Sequence, residues 1–344
     1  MNERPLSIGC SGFSWHTADG RHLLGRTYDM FGDLKANRIT LVAPGYELAA
    51  GPGDGTRRIR LDHGFIGNAI QGSTSPIFTD GVSEHGLMGT LQNYPGYGHY
   101  DTQKGNGRLD LHPAFLVPYM LGTCKSVEEV ARAAGGINLT GEPIFSAHMS
   151  VHYLFSDESG EAIIIEPDEG GIRVHRDTIG VMTNAPGYEW QYTNLKNYVA
   201  VSNVHTPPRD LLGRSISTFG SGTGGSFGLP GGFSSPDRFV RLAFAKNYAT
   251  PGSSEKEGVS RMFDTFSIVH VPEGMLVAKE GSPECEKTLC TSVMCAESRT
   301  YYFSPYGNRR ISSYSCKEAL RRLESGQTLE LYDIDFEEDI RVVV

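Results

Sequence analysis

Two spacings of apolar residues alternate along the chain. Near the start, short runs with β-type composition flank a polar turn. Ser11 to His16 reads as one strand and Arg21 to Tyr28 as a second, joined at Ala18-Asp19-Gly20. Ile39 to Pro44 reads as another strand. Ser126-Val127-Glu128-Glu129 has the form of a capping box, which predicts a helix to about Ala134, stopped by Gly135-Gly136. Three strands follow, Ala147 to Phe155, Glu161 to Glu166 and Gly171 to Arg176, separated by acidic, glycine-containing turns. Ile163-Ile164-Ile165 is continuously apolar, as expected of a strand covered on both faces. The spacing then lengthens. Ser235-Pro236 opens a helix, with Ser235 as its cap and Pro236 in its first turn. Val259 to Val269 predicts a second helix, with Met262, Phe263 and Phe266 on one face. Thr291 to Met294, Thr300 to Phe303 and Arg310 to Tyr314 return to strands. Strands, then helices, then strands predict an α+β layered domain rather than a doubly wound parallel sheet.

Composition narrows the function classes. The 344 residues are 39% hydrophobic and 21% charged, which suits one large globular domain without linker or repeat. A net charge of −9 argues against nucleic acid, whose phosphates need a basic face. No run of 18 apolar residues offers a membrane span, and the opening MNERPLSIG lacks the apolar core of a signal peptide. The cytoplasm is the expected location. Six cysteines at this length are too few for a disulfide scaffold, so thiols are expected.

One of those thiols carries the candidate chemistry. Cys10 follows Gly9, Arg26 lies 16 positions on, and Asp29 three further. The predicted hairpin folds Arg26 and Asp29 back toward Cys10. A guanidinium beside sulfur favours thiolate, and a carboxylate can hold an ammonium group. Removal of a leader, Met1 to Gly9, would expose the α-amine of Cys10. Such an amine has a pKa of about 7.7–8.0 and can act as base for its own residue's thiol. No separate histidine is then needed, and none of the 11 histidines sits in a Cys/His motif. Arg26 and Asp29 would also fit a structural ion pair. Gly220 to Gly228 lacks the Gly-Lys-Ser/Thr ending of a phosphate loop. Cys285, Cys290 and Cys295, at intervals of five, do not have standard zinc spacing.

The block from Cys10 to Asp29 resembles the choloylglycine hydrolase family, which holds conjugated bile salt hydrolases and penicillin V acylases. The likeness continues through Asp80 to Leu87, Asn93-Tyr94-Pro95, Ile179 to Pro186, Glu189-Trp190, Gly228 to Gly231, Arg238 to Arg241, Cys290 to Cys295 and Tyr301-Tyr302. The ordered set, with its Cys/Arg/Asp spacing, covers nearly the whole chain.

The resemblance implies an N-terminal-nucleophile hydrolase: an α+β, four-layer αββα sandwich, homotetrameric, needing no metal or organic cofactor. It implies that residues 1–9 are a leader and 10–344 one hydrolase domain. Cys10 would be nucleophile and base, Asp29 would orient the amine, and Arg26 would lie beside sulfur. Asn184 and the backbone N–H of Asn93 would face the oxyanion, and Arg238 would complete the polar pocket. Taken alone, Asn184 would also fit a turn residue and Trp190 a core residue. The substrate class implied is a small-molecule linear amide with an apolar acyl group. Asn93 before Tyr94-Pro95 points to glycine- or taurine-conjugated bile salts. Glu166-Pro167-Asp168 and Pro186 to Trp190 look more like penicillin V acylase. A catalytically silent binding protein of the same fold, with Cys10 still blocked, is the non-enzymatic alternative.

Overall fold

The computed structural model describes residues 8–53, 55–101, 104, 105, 107–145, 147–219, 224–338, 340, 342 and 343. Residues 1–7 of the expected leader and 220–223 of the glycine-rich segment lie outside the described residues.

Two antiparallel sheets form the centre. Their strands, in chain order, are β1 (Ile8–His16), β2 (His22–Phe31), β3 (Asn37–Val42), β4 (Phe65–Ile70), β5 (Ile77–Ser83), β6 (Met88–Asn93), β7 (Val151–Ser156) and β8 (Ala162–Asp168). They continue with β9 (Gly171–His175), β10 (Val181–Met182), β11 (Leu276–Val277), β12 (Cys285–Cys295), β13 (Thr300–Pro305), β14 (Ser312–Ser315) and β15 (Leu329–Tyr332). The first sheet runs β10-β1-β2-β12-β13-β14, with β11 also on β12. The second runs β9-β8-β7-β6-β5-β4-β3-β15. Helices α1 (Leu116–Thr123) and α2 (Val127–Ala134) cover the second sheet, and α4 (Ser235–Tyr248) and α5 (Glu255–Phe266) cover the first. Short helices α3 (Tyr188–Asn194) and α6 (Cys316–Arg322) complete the set. The order helix, sheet, sheet, helix is the expected four-layer α+β sandwich.

Three apolar cores correspond to the three interfaces between layers. Phe115, Met120 and Ile163 lie between α1, α2 and the second sheet. Leu24, Ile66, Ile164 and Tyr301 lie between the sheets. Phe13, Met262 and Phe266 lie between the first sheet and its helices. The Ile163-Ile164-Ile165 run serves both faces of β8, as its composition predicts, and all three residues are fully buried.

The hairpin that frames Cys10 forms as expected, with Gly9 opposite Asp29, Cys10 opposite Tyr28 and Gly12 opposite Arg26. Strand alternation then sorts the side chains. Cys10 and Tyr28 enter the layer between the sheets, while Phe13 and Leu23 face the helices. Gly25 lets α5 approach β2, since a Cβ there would lie 2.8 Å from both Met262 Sδ and Phe266 Cε2.

Local signals hold with adjustments of a residue. Ser126 Oγ accepts the Glu129 N–H, but the Glu129 carboxylate reaches back to the Lys125 N–H at 2.7 Å instead of closing the box on Ser126. The cap of α4 is Ser234, one residue before the expected Ser235, whose hydroxyl is used elsewhere. Trp190, expected in the core, is 50% exposed on α3. The three cysteines at intervals of five share one strand, with Cys290 in the inter-sheet core and Cys295 facing the helices. They therefore do not converge on one ion.

Candidate active site

The six residues named from the sequence come together where β1 and β2 pass between β6, β10 and α4. Arg26 Nη2 donates to Cys10 Sγ at 2.6 Å. The guanidinium also donates to the carbonyls of Thr27 and Thr79, lies 3.5 Å from Asp80, and stacks over Tyr28 at 4.7 Å. Asp80 is anchored in turn by the Tyr301 and Ser292 hydroxyls at 2.5 and 3.1 Å. Asp80 is thus the carboxylate that balances Arg26. The alternative of an Arg26–Asp29 ion pair is corrected, because an odd separation along β2 sends the two side chains to opposite faces.

Asp29 lies on the helix side. It accepts hydrogen bonds from the hydroxyls of Thr288 at 2.7 Å and Thr27 at 3.3 Å, and sits 3.9 Å from Arg238. Arg238 reaches in from the first turn of α4 and donates to the Cys10 carbonyl, the Ser11 hydroxyl and Asn184 Oδ1 at 2.5–2.7 Å. These acceptors, not the helix dipole, account for a cation at that helix start.

Asn184 is the hinge of the arrangement. Its Oδ1 accepts the Cys10 N–H at 3.0 Å, and its Nδ2 donates to the Asn93 carbonyl at 2.8 Å. Its own N–H donates to Ser235 Oγ at 2.9 Å, which explains why that serine is not the helix cap. The carbonyl of Asn93 is therefore the group now in contact with Asn184.

The chain is continuous through Gly9–Cys10, and Cys10, Arg26 and Asp29 are fully buried. Burial pushes the Cys10 thiol up to about 11, against the pull of Arg26, and Asp29 adds to the rise. Arg26 pulls toward thiolate as expected, but with the chain continuous through Gly9–Cys10 desolvation outweighs the guanidinium. A side chain at position 9 would collide with Glu286 Oε1 and lie 3.2 Å from Asp29 Cβ, so glycine at the junction fits the space.

Sequence reasoning missed the supports. Asp80, Ser235, Thr288 and Glu286 lie 54 or more residues from Arg26, and no local spacing links them. It also missed the cluster beneath the Asn184 loop. Glu166 accepts hydrogen bonds from His175 at 2.8 Å and the Tyr188 N–H at 2.8 Å, with His152 at 3.4 Å. His152 reaches the Thr183 carbonyl at 2.9 Å and stacks on Tyr94, next to Asn93.

Comparison with known proteins gives the family and the fold. Residues 10–328 match the family described as linear amide C–N hydrolases, choloylglycine hydrolase family. The chain belongs to that family, and it is a hydrolase of linear amides. Relatives include a bile salt hydrolase/transferase from Bifidobacterium longum subsp. longum, 30% identical over 89% of this chain and 95% of that protein. Another of the same name, from Lactiplantibacillus plantarum, is 32% identical over 85% of this chain and 88% of its own. A mutant of the conjugated bile acid hydrolase from Clostridium perfringens superposes with a TM-score of 0.87 at 26% identity, covering 97% of this chain and all of that one. Penicillin V acylase from Agrobacterium tumefaciens shares the fold, with a TM-score of 0.70 at 20% identity, over 90% of this chain and 87% of its own.

The Glu166 cluster yields a pH prediction. Burial alone would raise this carboxyl, but hydrogen bonds from His152 and His175 overcome it and hold it at about 2. A depressed folded-state pKa stabilises the fold above the unfolded value of about 4.3 and is lost as pH falls toward 2. The contribution is roughly 3 kcal/mol. In urea unfolding, Glu166→Gln should be destabilised most above pH 5, with the gap to wild type closing between pH 4 and pH 2. A gap independent of pH would show that the charge of Glu166 contributes nothing.

Proposed function

We propose that the chain deconjugates glycine- and taurine-linked bile salts, with Cys10 as N-terminal nucleophile after removal of Met1 to Gly9. The observation that carries this reading is the 2.6 Å contact of Arg26 Nη2 with Cys10 Sγ, beside an Asn184 amide that holds the Cys10 nitrogen. Three features support the choice of substrate: Asn93 before Tyr94-Pro95, the relatives named bile salt hydrolase, and the hydrolase superposition over the whole of that neighbour.

The chemistry uses protein groups only. Once freed, the α-amine of Cys10 takes the thiol proton and Sγ attacks the amide carbon. The carbonyl π electrons move to oxygen, where Asn184 Nδ2 and the Asn93 backbone N–H stabilise the negative charge. As the intermediate collapses, the C–N bond breaks, and the ammonium returns its proton to the departing glycine or taurine nitrogen. Water then hydrolyses the thioester, releasing the bile acid and restoring the thiol. Asp29 and Arg238 position the amine and the Asn184 amide. In the proposed route to the free amine, Cys10 Sγ attacks the Gly9 carbonyl carbon, the Gly9–Cys10 C–N bond breaks as the thiol proton passes to the Cys10 nitrogen, and water hydrolyses the resulting Gly9 thioester, which also opens a site whose sulfur is fully buried.

A homotetramer suits the exposed ribbon of Arg209–Leu211 and Arg214–Ile216, where Leu211, Leu212 and Ile216 face solvent, with Phe219 and Phe227 nearby in sequence. All six cysteines are free, which fits a reducing compartment, and we place the protein in the cytoplasm. Fractionation with a periplasmic or secreted marker would contradict that placement.

The direct test incubates the processed protein with bile salt conjugates beside penicillin V. Release of glycine or taurine should dominate, from a protein that sediments as a tetramer. Preferential release of phenoxyacetate would make it a penicillin V acylase, a monomer would remove the assembly, and no turnover of either would overturn the bile salt reading and place the substrate among other linear amides.

Asn184→Ala, with Cys10 freed by an external protease, removes one oxyanion donor. The expected loss is about 10²–10³ in kcat, or roughly 2.7–4 kcal/mol, with KM changing less. Turnover within about threefold of wild type would make Asn184 a turn residue only.

A further inference from the structure

We propose that His63, Glu84 and His85 form a binding site for one zinc-class divalent ion, at the opposite end of β6 from Asn93. One ligand atom from each residue lies within 4.8 Å of the others. His63 Nδ1 and His85 Nε2 are 3.3 Å apart. Tetrahedral coordination at about 2.0–2.1 Å places two nitrogens about 3.3–3.4 Å apart, so the rings already have the required separation. Two imidazoles and one carboxylate, with a fourth position open, are a ligand set that zinc accepts.

The scaffold is built before any ion arrives. His63 lies just before β4, and Glu84 and His85 form the turn between β5 and β6. The Glu84 N–H donates to the Gly64 carbonyl at 2.8 Å, and the Gly64 N–H donates to Glu84 Oε1 at 2.7 Å. Each loop therefore fixes the other. The N–H groups of Asp62 and His63 both donate to the Gly122 carbonyl at 2.9 Å. Ser83 Oγ accepts the N–H groups of His85 and Leu87 at 3.2 Å. Gly86, at φ +86, closes the turn in a left-handed conformation, where a Cβ would lie 2.6 Å from the Ala296 carbonyl oxygen. All three ligand residues are half-buried, which leaves an approach for an ion.

A hydrogen bond between the two imidazoles sets their 3.3 Å contact and the Gly64 N–H holds the Glu84 carboxylate, so the three ligand atoms stand together before an ion binds. Two of the three ligand atoms are imidazole nitrogens, so nitrogen coordination holds the ion. That selects zinc, cobalt or nickel over calcium and magnesium. The bound ion would tie the loop before β4 to the β5–β6 turn and raise stability by mass action.

The test titrates Zn²⁺ and Co²⁺ into metal-free protein whose accessible thiols are blocked with iodoacetamide. Wild type should take up one equivalent saturably, give visible Co²⁺ bands of tetrahedral intensity, and melt at a higher temperature with Zn²⁺ but not with Mg²⁺ or Ca²⁺. His63→Gln and His85→Gln should each bind at least about tenfold more weakly, while His205→Gln, an exposed control, should match wild type. Absence of saturable uptake by wild type, or equal binding by all three variants and wild type, would overturn the proposal. Should either ligand variant fail to fold, X-ray absorption of zinc-loaded wild type decides: two imidazole nitrogens at about 2.0–2.1 Å support the site, and oxygen-only coordination overturns it.

Discussion

The guanidinium of Arg26, closed between the two sheets, is the constraint around which the rest is arranged. A buried cation is costly unless paired and hydrogen-bonded. Here the partners come from separate strands: Cys10 on β1, Thr79 and Asp80 on β5, with Ser292 on β12 and Tyr301 on β13 anchoring Asp80. None of these strands can satisfy the cation alone. The charge is stable only when both sheets are stacked in register, so the fold that buries the inter-sheet core also sets the distance from Arg26 to sulfur. Asp29 and Arg238 form a second charged pair on the opposite face of the same hairpin. Cys10 therefore has its sulfur in one layer and its backbone polar groups in the next.

This division explains why one residue can supply two chemical groups. Cys10 Sγ meets Arg26 between the sheets, whereas Cys10 N and O meet Asn184 and Arg238 near α4. In the continuous chain the same donors and acceptors hold a peptide bond, and burial keeps the thiol protonated. Protonation of a completely enclosed thiol is a consequence of desolvation, and the neighbouring cation only moderates it. Loss of the leader alters both terms together: water and substrate gain access to sulfur, and the nitrogen held by Asn184 becomes an amine.

What was legible in the sequence was mostly local. Asp19-Gly20 between β-type runs gave the hairpin, and the hairpin register follows from it, so the convergence of Cys10, Arg26 and Asp29 was readable. The acidic turns gave the β7–β8–β9 meander. Helix α1 was not found, because Leu116–Thr123 is apolar on nearly all sides and carries Pro118, leaving no amphipathic period to detect. Ser235 was read as a cap because its hydroxyl precedes a proline, yet Ser234 holds that place and frees Ser235 for Asn184. Trp190, expected in the core, is exposed because α3 is a short surface helix. Asp80 and Glu166 were missed for a different reason. Their partners are brought together by sheet pairing and stacking, which leave no trace in sequence spacing. The direction of the Cys10 shift could not be read either, because it depends on how completely two sheets exclude water.

The account turns on whether the Arg26 contact governs the sulfur once burial is relieved. Thiolate absorbance at 240 nm, followed against pH, measures this directly when protein carrying the leader is compared with processed protein and Cys10→Ala provides the baseline. In the leader-bearing chain the Cys10 signal should titrate near 11. In the processed chain it should fall below the value of about 8.5 for a free cysteine, and Arg26→Leu should abolish that fall. A processed Cys10 that still titrates near 11, or one whose shift survives loss of Arg26, would contradict the account.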